Sequence, residues 1–325
     1  MINVALFGFG TVGSGVAEIL TENRDIIKSR TGLDINVKYI LDLRDFPDHP
    51  LGDRVVHDIG TILADKDVSI VAEMMGGVHP AYDFTLASIK AGKSAVTSNK
   101  AVVAEYGPEL LAEAEKQGVS YLFEASVGGC IPIVRPLSQQ AELDEITEIS
   151  GILNGTTNYI LTKMKYEGKS FDEALSEAQA LGYAERDPSA DVDGFDTCRK
   201  ICILSAVAFG NLPDYRNVKT VGIRNVTKAD IENAGKNGKT IKLIGRASKD
   251  GDVISVSTEP VEIGNSEILS HIDDVYNAIE IKGKASGSLL FCGKGAGRLP
   301  TADAVVSDII DIAKNSPKPL RWEKV

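Results

Sequence analysis

Residues 3–13 read Asn-Val-Ala-Leu-Phe-Gly-Phe-Gly-Thr-Val-Gly, a short apolar run that leads directly into the pattern G-x-G-x-x-G. The run from Asn3 to Phe7 predicts a buried strand, and the apolar periodicity of Val12 to Leu20 predicts a helix. The glycine pattern alone is weak, but here it follows a strand and opens a helix, which is the setting that a dinucleotide-binding turn requires. This stretch therefore predicts a strand–turn–helix unit that binds a dinucleotide.

Each glycine of the pattern has its own physical task. Gly8 allows the tight turn, Gly10 lets the backbone approach a pyrophosphate, and Gly13 lets the helix pack closely on the strand. Free amides at the start of the helix then hold the anion. The alternative is a glycine-rich turn that binds no ligand, and the sequence context makes it the less favoured one.

The rest of the first 125 residues continues to alternate between strand and helix signals. Strands are predicted at Val37–Leu41, Val68–Met74, Ala95–Thr97 and Ser120–Phe123, and helices after Pro80 and at Glu105–Gln117. Strands joined by crossover helices form a parallel sheet that is covered on both faces. We therefore expect an α/β fold with a doubly wound, Rossmann-type parallel sheet.

The later part of the chain has a different pattern. It predicts strands at Glu145–Leu153, Ile241–Ala247, Val253–Glu262 and Ala278–Ile281, helices at Thr156–Tyr166, Phe171–Leu181, Phe195–Phe209 and Thr301–Ala313, and a loop over Gly182–Gly194. Asp250-Gly251 indicates a hairpin turn. We expect an NAD(P)-binding domain over residues 1–130, an α+β catalytic and dimerisation domain with an open sheet over 131–300, and a C-terminal helical segment, 301–325, that packs back on the nucleotide domain.

Composition excludes several classes of protein. The 325 residues carry a formal net charge of −11, which disfavours nucleic acid as a partner because polyphosphate is also negative. The longest apolar stretch, Ile201–Phe209, is too short to span a bilayer. No signal peptide is expected, and four cysteines (Cys130, Cys198, Cys202 and Cys292) favour a reducing, cytoplasmic location.

The pair Cys198 and Cys202 has two interpretations, because residues four apart share one face of a helix. It is either half of a metal or redox site or two small apolar residues in a buried helix, and the second interpretation is favoured.

The choice between NAD and NADP depends on two neighbouring residues after the second strand. Asp42 could accept hydrogen bonds from a ribose, as in NAD-binding proteins, whereas Arg44 could hold the 2′-phosphate of NADP. Both coenzymes stay open, with a slight preference for NADP. Alternatively, both residues are solvated loop charges.

Two lysines are candidates for the chemistry. Lys100 follows the strand at 95–97, and the carboxyl ends of parallel strands face the cofactor crevice. Lys200 follows five acids within sixteen residues, and its partner four residues earlier, Asp196, lies on the same helix face. An exposed ion pair is the alternative for Asp196 and Lys200, but the apolar residues after Lys200 indicate a buried helix. We therefore expect a buried lysine ammonium beside carboxylates that recognise a substrate ammonium.

Four blocks of sequence resemble the homoserine dehydrogenase family. Residues 178–200 match the signature A-x-x-x-G-Y-A-E-R-D-P-x-x-D-V-x-G-x-D-x-x-x-K at every defined position. The run Asn154–Tyr159 is similar to the family's N-G-T-T-N-Y block, Ser98-Asn99-Lys100 to its first lysine motif, and Gly293–Arg298 with Thr301-Ala302 to its C-terminal glycine motif. The resemblance covers nearly the whole chain and implies a short form without the family's regulatory ACT domain.

The resemblance implies NAD(P)H-dependent, reversible reduction of L-aspartate 4-semialdehyde to L-homoserine in threonine and methionine biosynthesis. It assigns proton donation to Lys200, with Lys100 and Asp196 as further catalytic residues. The implied substrate residues are Glu185, Asp191, Asp196, Lys100, Gly155 and Thr156. The implied cofactor residues are Gly8, Phe9, Gly10, Thr11, Val12, Gly13, Asp42, Arg44, Lys100, Gly182 and Gly297.

The resemblance also implies a monovalent cation, such as sodium, and a homodimer. The cation site would use Glu124, Val127, Gly129 and Ile131, mostly through backbone carbonyls, which suit a hard cation. Glu124 as a simple strand-end charge is the alternative. The strand-rich region 240–285 is the expected dimer interface, and Thr156 is expected either to bind substrate or to cap the helix that begins there.

Two other functions compete with this one. A dehydrogenase of the same architecture could act on another small amino acid or oxo-acid. A non-catalytic dinucleotide sensor would bind the coenzyme without turnover, but it leaves a buried Lys200 unexplained.

Overall fold

The computed structural model describes residues 1–315, 320 and 322–324. The chain divides into two compact units. The first consists of Met1–Cys130 with the described residues of Gly297–Trp322, and the second of Ile131–Ala296 with the described residues of Glu323–Val325. Part of the predicted C-terminal segment 301–325, namely residues 316–319, 321 and 325, lies outside the described residues.

Strands and helices are numbered along the chain. The strands are β1 (Ile2–Phe7), β2 (Ile35–Leu41), β3 (Val55–Val56), β4 (Val68–Glu73), β5 (Ser94–Thr97), β6 (Tyr121–Leu122), β7 (Ile146–Ile152), β8 (Asn211–Leu212), β9 (Lys219–Thr220), β10 (Lys239–Asp250), β11 (Val253–Gly264), β12 (Tyr276–Gly283), β13 (Gly287–Lys294) and β14 (Glu323–Lys324). The α-helices are α1 (Thr11–Glu22), α2 (Arg24–Thr31), α3 (Ile59–Ala64), α4 (Ala81–Lys90), α5 (Lys100–Gln117), α6 (Val134–Leu143), α7 (Gly155–Glu167), α8 (Phe171–Ala180), α9 (Ser189–Val192), α10 (Phe195–Phe209), α11 (Lys228–Lys236) and α12 (Arg298–Lys314). Short 3₁₀ turns cover Gly52–Arg54, Glu124–Ser126 and Ile268–His271.

The first unit contains a six-stranded parallel sheet in the order β3-β2-β1-β4-β5-β6. The chain moves outward from β1 in one direction and then, from β4, in the other. The strand order therefore reverses between β1 and β4, and in such sheets ligands bind in the crevice at the carboxyl ends of the strands at this point. The predicted doubly wound Rossmann-type fold is confirmed.

Helices α1 and α12 share one face of the core in this unit. Val16 and Leu20 of α1 pack in the same buried cluster as Val305 and Ile309 of α12. In each helix the two residues are four apart, so they lie on one side and form an apolar stripe.

The second unit contains a mixed sheet in the order β13-β12-β7-β10-β11-β9. Adjacent strands in this sheet are antiparallel, except for the parallel pair β11 and β9. The hairpin between β10 and β11 turns at the predicted Asp250-Gly251 pair, where Gly251 has a φ of +58°. Helix α10 packs on β10, and its residues Cys198 and Cys202 are buried thiols, as the favoured interpretation predicted.

Most predicted elements are present, and their ends shift by no more than three residues, apart from α5, which starts five residues before its predicted beginning. The predicted loop over Gly182–Gly194 is wrong in part, because it contains the one-turn helix α9. The pattern also missed α2, α3, α6, α11, β13 and the two-residue strands β3, β8, β9 and β14. These elements are short or largely exposed; in α2, for example, Ile27 is the one buried residue. None of the helices in the described part of the chain is both long and apolar enough to span a membrane.

Candidate active site

The glycine turn between β1 and α1 has the geometry that the sequence predicted for a dinucleotide. Gly8 has a φ of +87°, and a Cβ atom placed on Gly13 would lie 2.0 Å from the carbonyl oxygen of Gly8. A Cβ atom on Gly10 would meet no atom within 4 Å, so the space above the turn is open. Because Gly10 is the N-cap residue and has no side chain, the amides of Thr11, Val12 and Gly13 are left for an anion.

Asp42 and Arg44 are joined at the end of β2. The amide of Phe9 donates to Oδ2 of Asp42 (2.8 Å), and the Arg44 guanidinium donates to both carboxylate oxygens (3.0 Å each). The hydrogen bond from Arg44 is the main reason that the pKa of Asp42 falls to about 2. The Asp42 side chain is 9% exposed, so its interpretation as a solvated loop charge is wrong.

Arg44, in contrast, is exposed over 62% of its side chain. Its guanidinium lies 5.1 Å from the ring centroid of Phe46, which holds the planar group in place. Asp42 thus ties the glycine turn to β2 and orients Arg44, whose charge faces solvent beside the turn.

Lys100 is the first residue of α5, at the carboxyl end of β5. The side chain of Asn99 caps this helix by accepting from the amides of Ala101 (3.2 Å) and Val102 (3.3 Å). Lys100 itself is half-buried. The structure therefore places Lys100 at the edge of the parallel sheet where a cofactor binds in this fold.

Lys200 is buried in the first turns of α10. Its Nζ donates to Oδ2 of Asp196 and to the carbonyl oxygen of Leu153, both at 2.8 Å. The side chains of Lys200 and Asp196 are 10% and 3% exposed, so the alternative of a solvent-exposed ion pair is wrong. A buried pair of opposite charges that is also hydrogen-bonded to the backbone fixes the ammonium nitrogen in one place.

Asn154 connects this pair to α7 and to a further acid. Its Nδ2 donates to Oδ2 of Asp196 (2.8 Å) and to Oδ1 of Asp191 (2.7 Å), while its Oδ1 accepts from the amide of Thr157 (2.8 Å). The N-cap of α7 is therefore Asn154, and the expectation that Thr156 caps the helix is wrong. The hydroxyl of Thr156 donates to the carbonyl oxygen of Tyr183 instead (2.6 Å).

Not all five acids of the signature converge on Lys200. Asp187 accepts from the amide (3.1 Å) and hydroxyl (2.6 Å) of Ser189 at the start of α9, and Asp193 pairs with Arg224. Glu185 is exposed, and its carbonyl oxygen accepts from Gln179 (3.0 Å).

Gly182 lies in the exposed turn after α8 with a φ of +76°. Gly297, at the start of α12 in the other unit, has a φ of +133°. Gly155 begins α7, where a Cβ atom would lie 2.8 Å from the carbonyl oxygen of Val275.

The proposed cation ligands fall on both sides of the division between the units. Glu124 is buried, and Gly128 and Gly129, with φ of +79° and +59°, turn the backbone just after it. Ile131 is the first residue of the second unit. No group of three or more His, Cys, Asp or Glu side chains suited to a metal occurs in the described part of the chain.

Sequence reasoning missed two residues of this region. For Asn154 the missed role is that of the helix cap, although an asparagine directly before Gly-Thr-Thr is a recognisable N-cap signal. Glu73, at the end of β4, is fully buried, and burial raises its pKa to about 7. The signal for Glu73 was an acid that ends an otherwise apolar strand.

Two family models match this chain. The homoserine dehydrogenase model matches residues 132–310, and the model of the homoserine dehydrogenase NAD-binding domain matches residues 8–124. The homoserine dehydrogenase of Bacillus subtilis (strain 168) is 42% identical over 317 residues, which are 97% of this chain and 73% of that protein.

Solved structures agree with these matches. The crystal structure of a homoserine dehydrogenase from Thiobacillus denitrificans has a TM-score of 0.93 at 36% identity, and the match covers 100% of this chain and 79% of that one. A hyperthermophilic archaeal homoserine dehydrogenase mutant in complex with NADPH has a TM-score of 0.82 at 31% identity, covering 96% and 97% of the two chains. The chain therefore belongs to the homoserine dehydrogenase family, whose members are NAD(P)-dependent oxidoreductases that act on a CH–OH group.

Proposed function

We propose that Lys200 is the proton donor in the reaction of this homoserine dehydrogenase family member, the reversible reduction of L-aspartate 4-semialdehyde to L-homoserine with NAD(P)H, a step in threonine and methionine biosynthesis. The observation that carries the assignment is the buried Lys200 ammonium, held at 2.8 Å by both Asp196 and the Leu153 carbonyl in a member of this family.

A coenzyme held by the amides at the start of α1 would supply hydride to the aldehyde carbon, and negative charge would then develop on the carbonyl oxygen. A fixed ammonium stabilises that charge and donates a proton to it. Asp196 and the Leu153 carbonyl keep the Lys200 nitrogen in place, so little reorganisation is needed when the oxygen becomes charged. In the reverse direction, the same lysine as a neutral amine accepts the hydroxyl proton.

The two charged groups of the amino-acid substrate need complementary partners. Carboxylates of Glu185 and Asp191 are our candidates for the substrate ammonium, together with Asp196. The first amides of α7, at Gly155 and Thr156, are candidates for the substrate carboxylate, because a helix N-terminus favours an anion. In this proposal Lys100 lies beside both the coenzyme and the substrate and contacts both.

For the coenzyme we propose a preference for NADP, with Gly8 to Gly13, Gly182 and Gly297 as backbone contacts. Asp42 already accepts from Phe9 and Arg44, which leaves the exposed Arg44 guanidinium as the group that meets the 2′ position of the ribose. A guanidinium forms bidentate, charge-assisted hydrogen bonds with a phosphate. Its hydrogen bonds to a neutral ribose hydroxyl are weaker.

The central experiment compares steady-state kinetics with NADPH and NADH, using L-aspartate 4-semialdehyde as the substrate. We expect turnover with both and a higher kcat/KM with NADPH. In Arg44→Ala, kcat/KM should fall about tenfold or more for NADPH, because hydrogen bonds to charged groups contribute about 1.5–3 kcal/mol, and change little for NADH. Arg24→Ala, which removes an exposed Arg24–Asp34 pair in the same unit, is the control.

An equal preference for the two coenzymes, unchanged by Arg44→Ala, would contradict the NADP assignment while leaving the reaction intact. A panel of other aldehydes and oxo-acids tests the alternative dehydrogenase. Coenzyme binding without turnover of any of these compounds would favour the alternative of a non-catalytic dinucleotide sensor.

We also propose the monovalent cation, the homodimer and the cytoplasmic location that the sequence led us to expect. Carbonyl groups near Glu124, Val127, Gly129 and Ile131 suit sodium, and replacement of sodium by tetramethylammonium should then lower activity or stability. Sedimentation equilibrium should give twice the chain mass of 34.7 kDa if region 240–285 forms a dimer interface. All four cysteines are free thiols, which supports a reducing compartment.

A further inference from the structure

We propose that Glu73 is a positioning residue for hydride transfer: its buried carboxyl group joins the loop after β4 to the loop after β5 and thereby fixes Lys100 beside the coenzyme. The inference rests on the proposed role of Lys100. Glu73 is the buried last residue of β4, and in this proposal it affects the reaction only by positioning these two loops.

The carboxyl group of Glu73 holds one loop with each oxygen. Oε1 accepts from the amide of Met75 (2.7 Å), and Oε2 accepts from the hydroxyl of Thr97 (2.5 Å). The carbonyl oxygen of Glu73 also accepts from the amide of Ser98 (3.2 Å). One fully buried residue therefore fixes the first turns of both loops at the carboxyl edge of the sheet.

The contact continues from Thr97 to Asn99. The amide of Asn99 donates to Oγ1 of Thr97 (2.9 Å), and its side-chain Nδ2 donates back to the first loop, to the carbonyl oxygens of Met75 (3.2 Å) and Gly77 (2.7 Å). The Oδ1 of the same side chain caps α5, in which Lys100 is the first residue. The hydrogen bonds thus form a closed path that runs from Glu73 through Thr97 and Asn99 to the loop after β4.

This path also borders the dinucleotide turn. The amide of Met74 donates to the carbonyl oxygen of Phe7 (2.8 Å), and a Cβ atom on Gly8 would lie 3.0 Å from Cγ of Met75. The loop after β4 is therefore packed against the first glycine of the turn. A shift of this loop would change the walls of the crevice between β1, β4 and β5, whereas the hydrogen bonds of the path involve none of the amides at the start of α1.

Stability alone does not account for a carboxyl group here. Burial raises the pKa of Glu73 to about 7, against its usual value of 4.5, which means that the protein resists ionising it. Replacement of buried charged groups by apolar residues of similar volume often stabilises proteins. The two acceptor oxygens are what an apolar residue cannot provide, and both are used to fix loops.

The decisive variant is Thr97→Val, because it removes the hydroxyl that joins Glu73 to Asn99 and keeps the size of the side chain. Thr85→Val is the matched control: Thr85 is a buried threonine of α4 in the same unit, and its hydroxyl has no partner among the described residues. We expect kcat to fall about tenfold to a hundredfold in Thr97→Val, since a misplacement of about 1 Å can cost that much. The control should stay near the wild-type rate.

Two further measurements separate positioning from a general structural effect. The dissociation constant for NADPH should change less than about threefold, since the pyrophosphate amides are intact and a threefold change is only about 0.7 kcal/mol. The primary isotope effect with 4-deuterated NADPH should rise, because hydride transfer becomes more rate-limiting. Glu73→Gln, which keeps an acceptor for Met75, should lose less kcat than Glu73→Leu.

Equal kcat values and isotope effects in Thr97→Val and Thr85→Val would overturn the proposal, and so would weaker NADPH binding with kcat unchanged. Thr97→Val carries the test if Glu73→Leu does not fold. Failure of the proposed function is a separate result, because it would be seen in the wild-type chain as no turnover of aspartate semialdehyde.

Discussion

Lys200 and Asn154 illustrate how single residues prepare this site. Both are buried polar groups, and such groups are costly unless they are hydrogen-bonded. The carboxylate of Asp196 accepts from both of them at 2.8 Å, so the ammonium, the carboxylate and the carboxamide hold one another. A substrate oxygen that approaches Lys200 meets a donor whose position is already set.

Lys200→Ala should lower kcat about a hundredfold to ten-thousandfold, which is the usual contribution of a positioned general acid. NADPH binding, measured by fluorescence titration, should persist because the glycine turn lies in the other unit. Lys163→Ala is the control, as it removes a lysine of α7 that pairs with Glu167 on the surface. Turnover close to the wild-type rate in Lys200→Ala would contradict its assignment as the proton donor.

Asn154 has two tasks that can be separated by substitution. Asn154→Ser keeps a good N-cap for α7 but loses the amide that donates to Asp191 and Asp196, so we expect a lower kcat, a higher KM for aspartate semialdehyde, or both, with a loss of stability within about 1 kcal/mol. Asn154→Asp keeps the cap and adds a third carboxylate to the cluster. It should impair kcat/KM more than serine does, because like charges repel.

Steady-state kinetics and urea unfolding of both variants check this prediction. If Asn154→Ser kept both its stability and normal kinetics, Asn154 would be a helix cap and nothing more.

At the scale of elements, the sequence was most informative where burial is regular. The strands β1 and β4 are apolar runs, and α10 was predicted at Phe195–Phe209, its bounds in the structure. The elements α11 and β13 were missed because few of their residues are buried: Ile231 and Ala234 in α11, and none in β13. The path from Glu73 to Asn99 could not be predicted, because it joins the ends of two strands that are more than twenty residues apart in sequence and become neighbours only in the sheet.

The end of β4 also gives a pH-dependent prediction. The folded protein raises the pKa of Glu73 from 4.5 to about 7, mainly through burial, and Tyr121 on β6 is a titratable neighbour. A raised pKa means that the neutral carboxyl group favours the folded state below about pH 4.5, and that this contribution is lost as the pH rises through about 7. The loss amounts to about 3 kcal/mol, since each pKa unit corresponds to about 1.4 kcal/mol.

Glu73→Gln should therefore gain stability relative to wild type as the pH rises from about 5 to 8, by up to about 3 kcal/mol in the free energy of unfolding from urea titrations. All other titratable groups are the same in both proteins, so their contributions cancel in the difference in unfolding free energy between variant and wild type. Thr85→Val changes no titratable group, so as the control it should show a flat difference over the same range. A flat difference for Glu73→Gln as well would mean that Glu73 ionises as easily in the folded protein as in the unfolded chain.

At the scale of the whole molecule, the nucleotide-binding unit is discontinuous in sequence. The described residues of Gly297–Trp322 belong to the same unit as residues 1–130. Asp308 of α12 accepts from the amide of Glu124 (2.8 Å), and the buried Trp322 stacks edge-on against Phe123 at 5.1 Å. The unit that holds the glycine turn can therefore complete its core only after nearly the whole chain is present.

Ile309→Ala tests this dependence. Ile309 is fully buried in the cluster that includes Val16 and Leu20 of α1, so its truncation should cost about 2–5 kcal/mol of unfolding free energy. NADPH at about a hundred times its dissociation constant should restore about 2.7 kcal/mol, because the coenzyme binds the folded unit. Asp303→Ala, at an exposed position on the same helix, is the control and should change stability by less than about 0.5 kcal/mol. Equal stabilities of the two variants in thermal and urea unfolding would mean that α12 is not part of the core that supports the coenzyme turn.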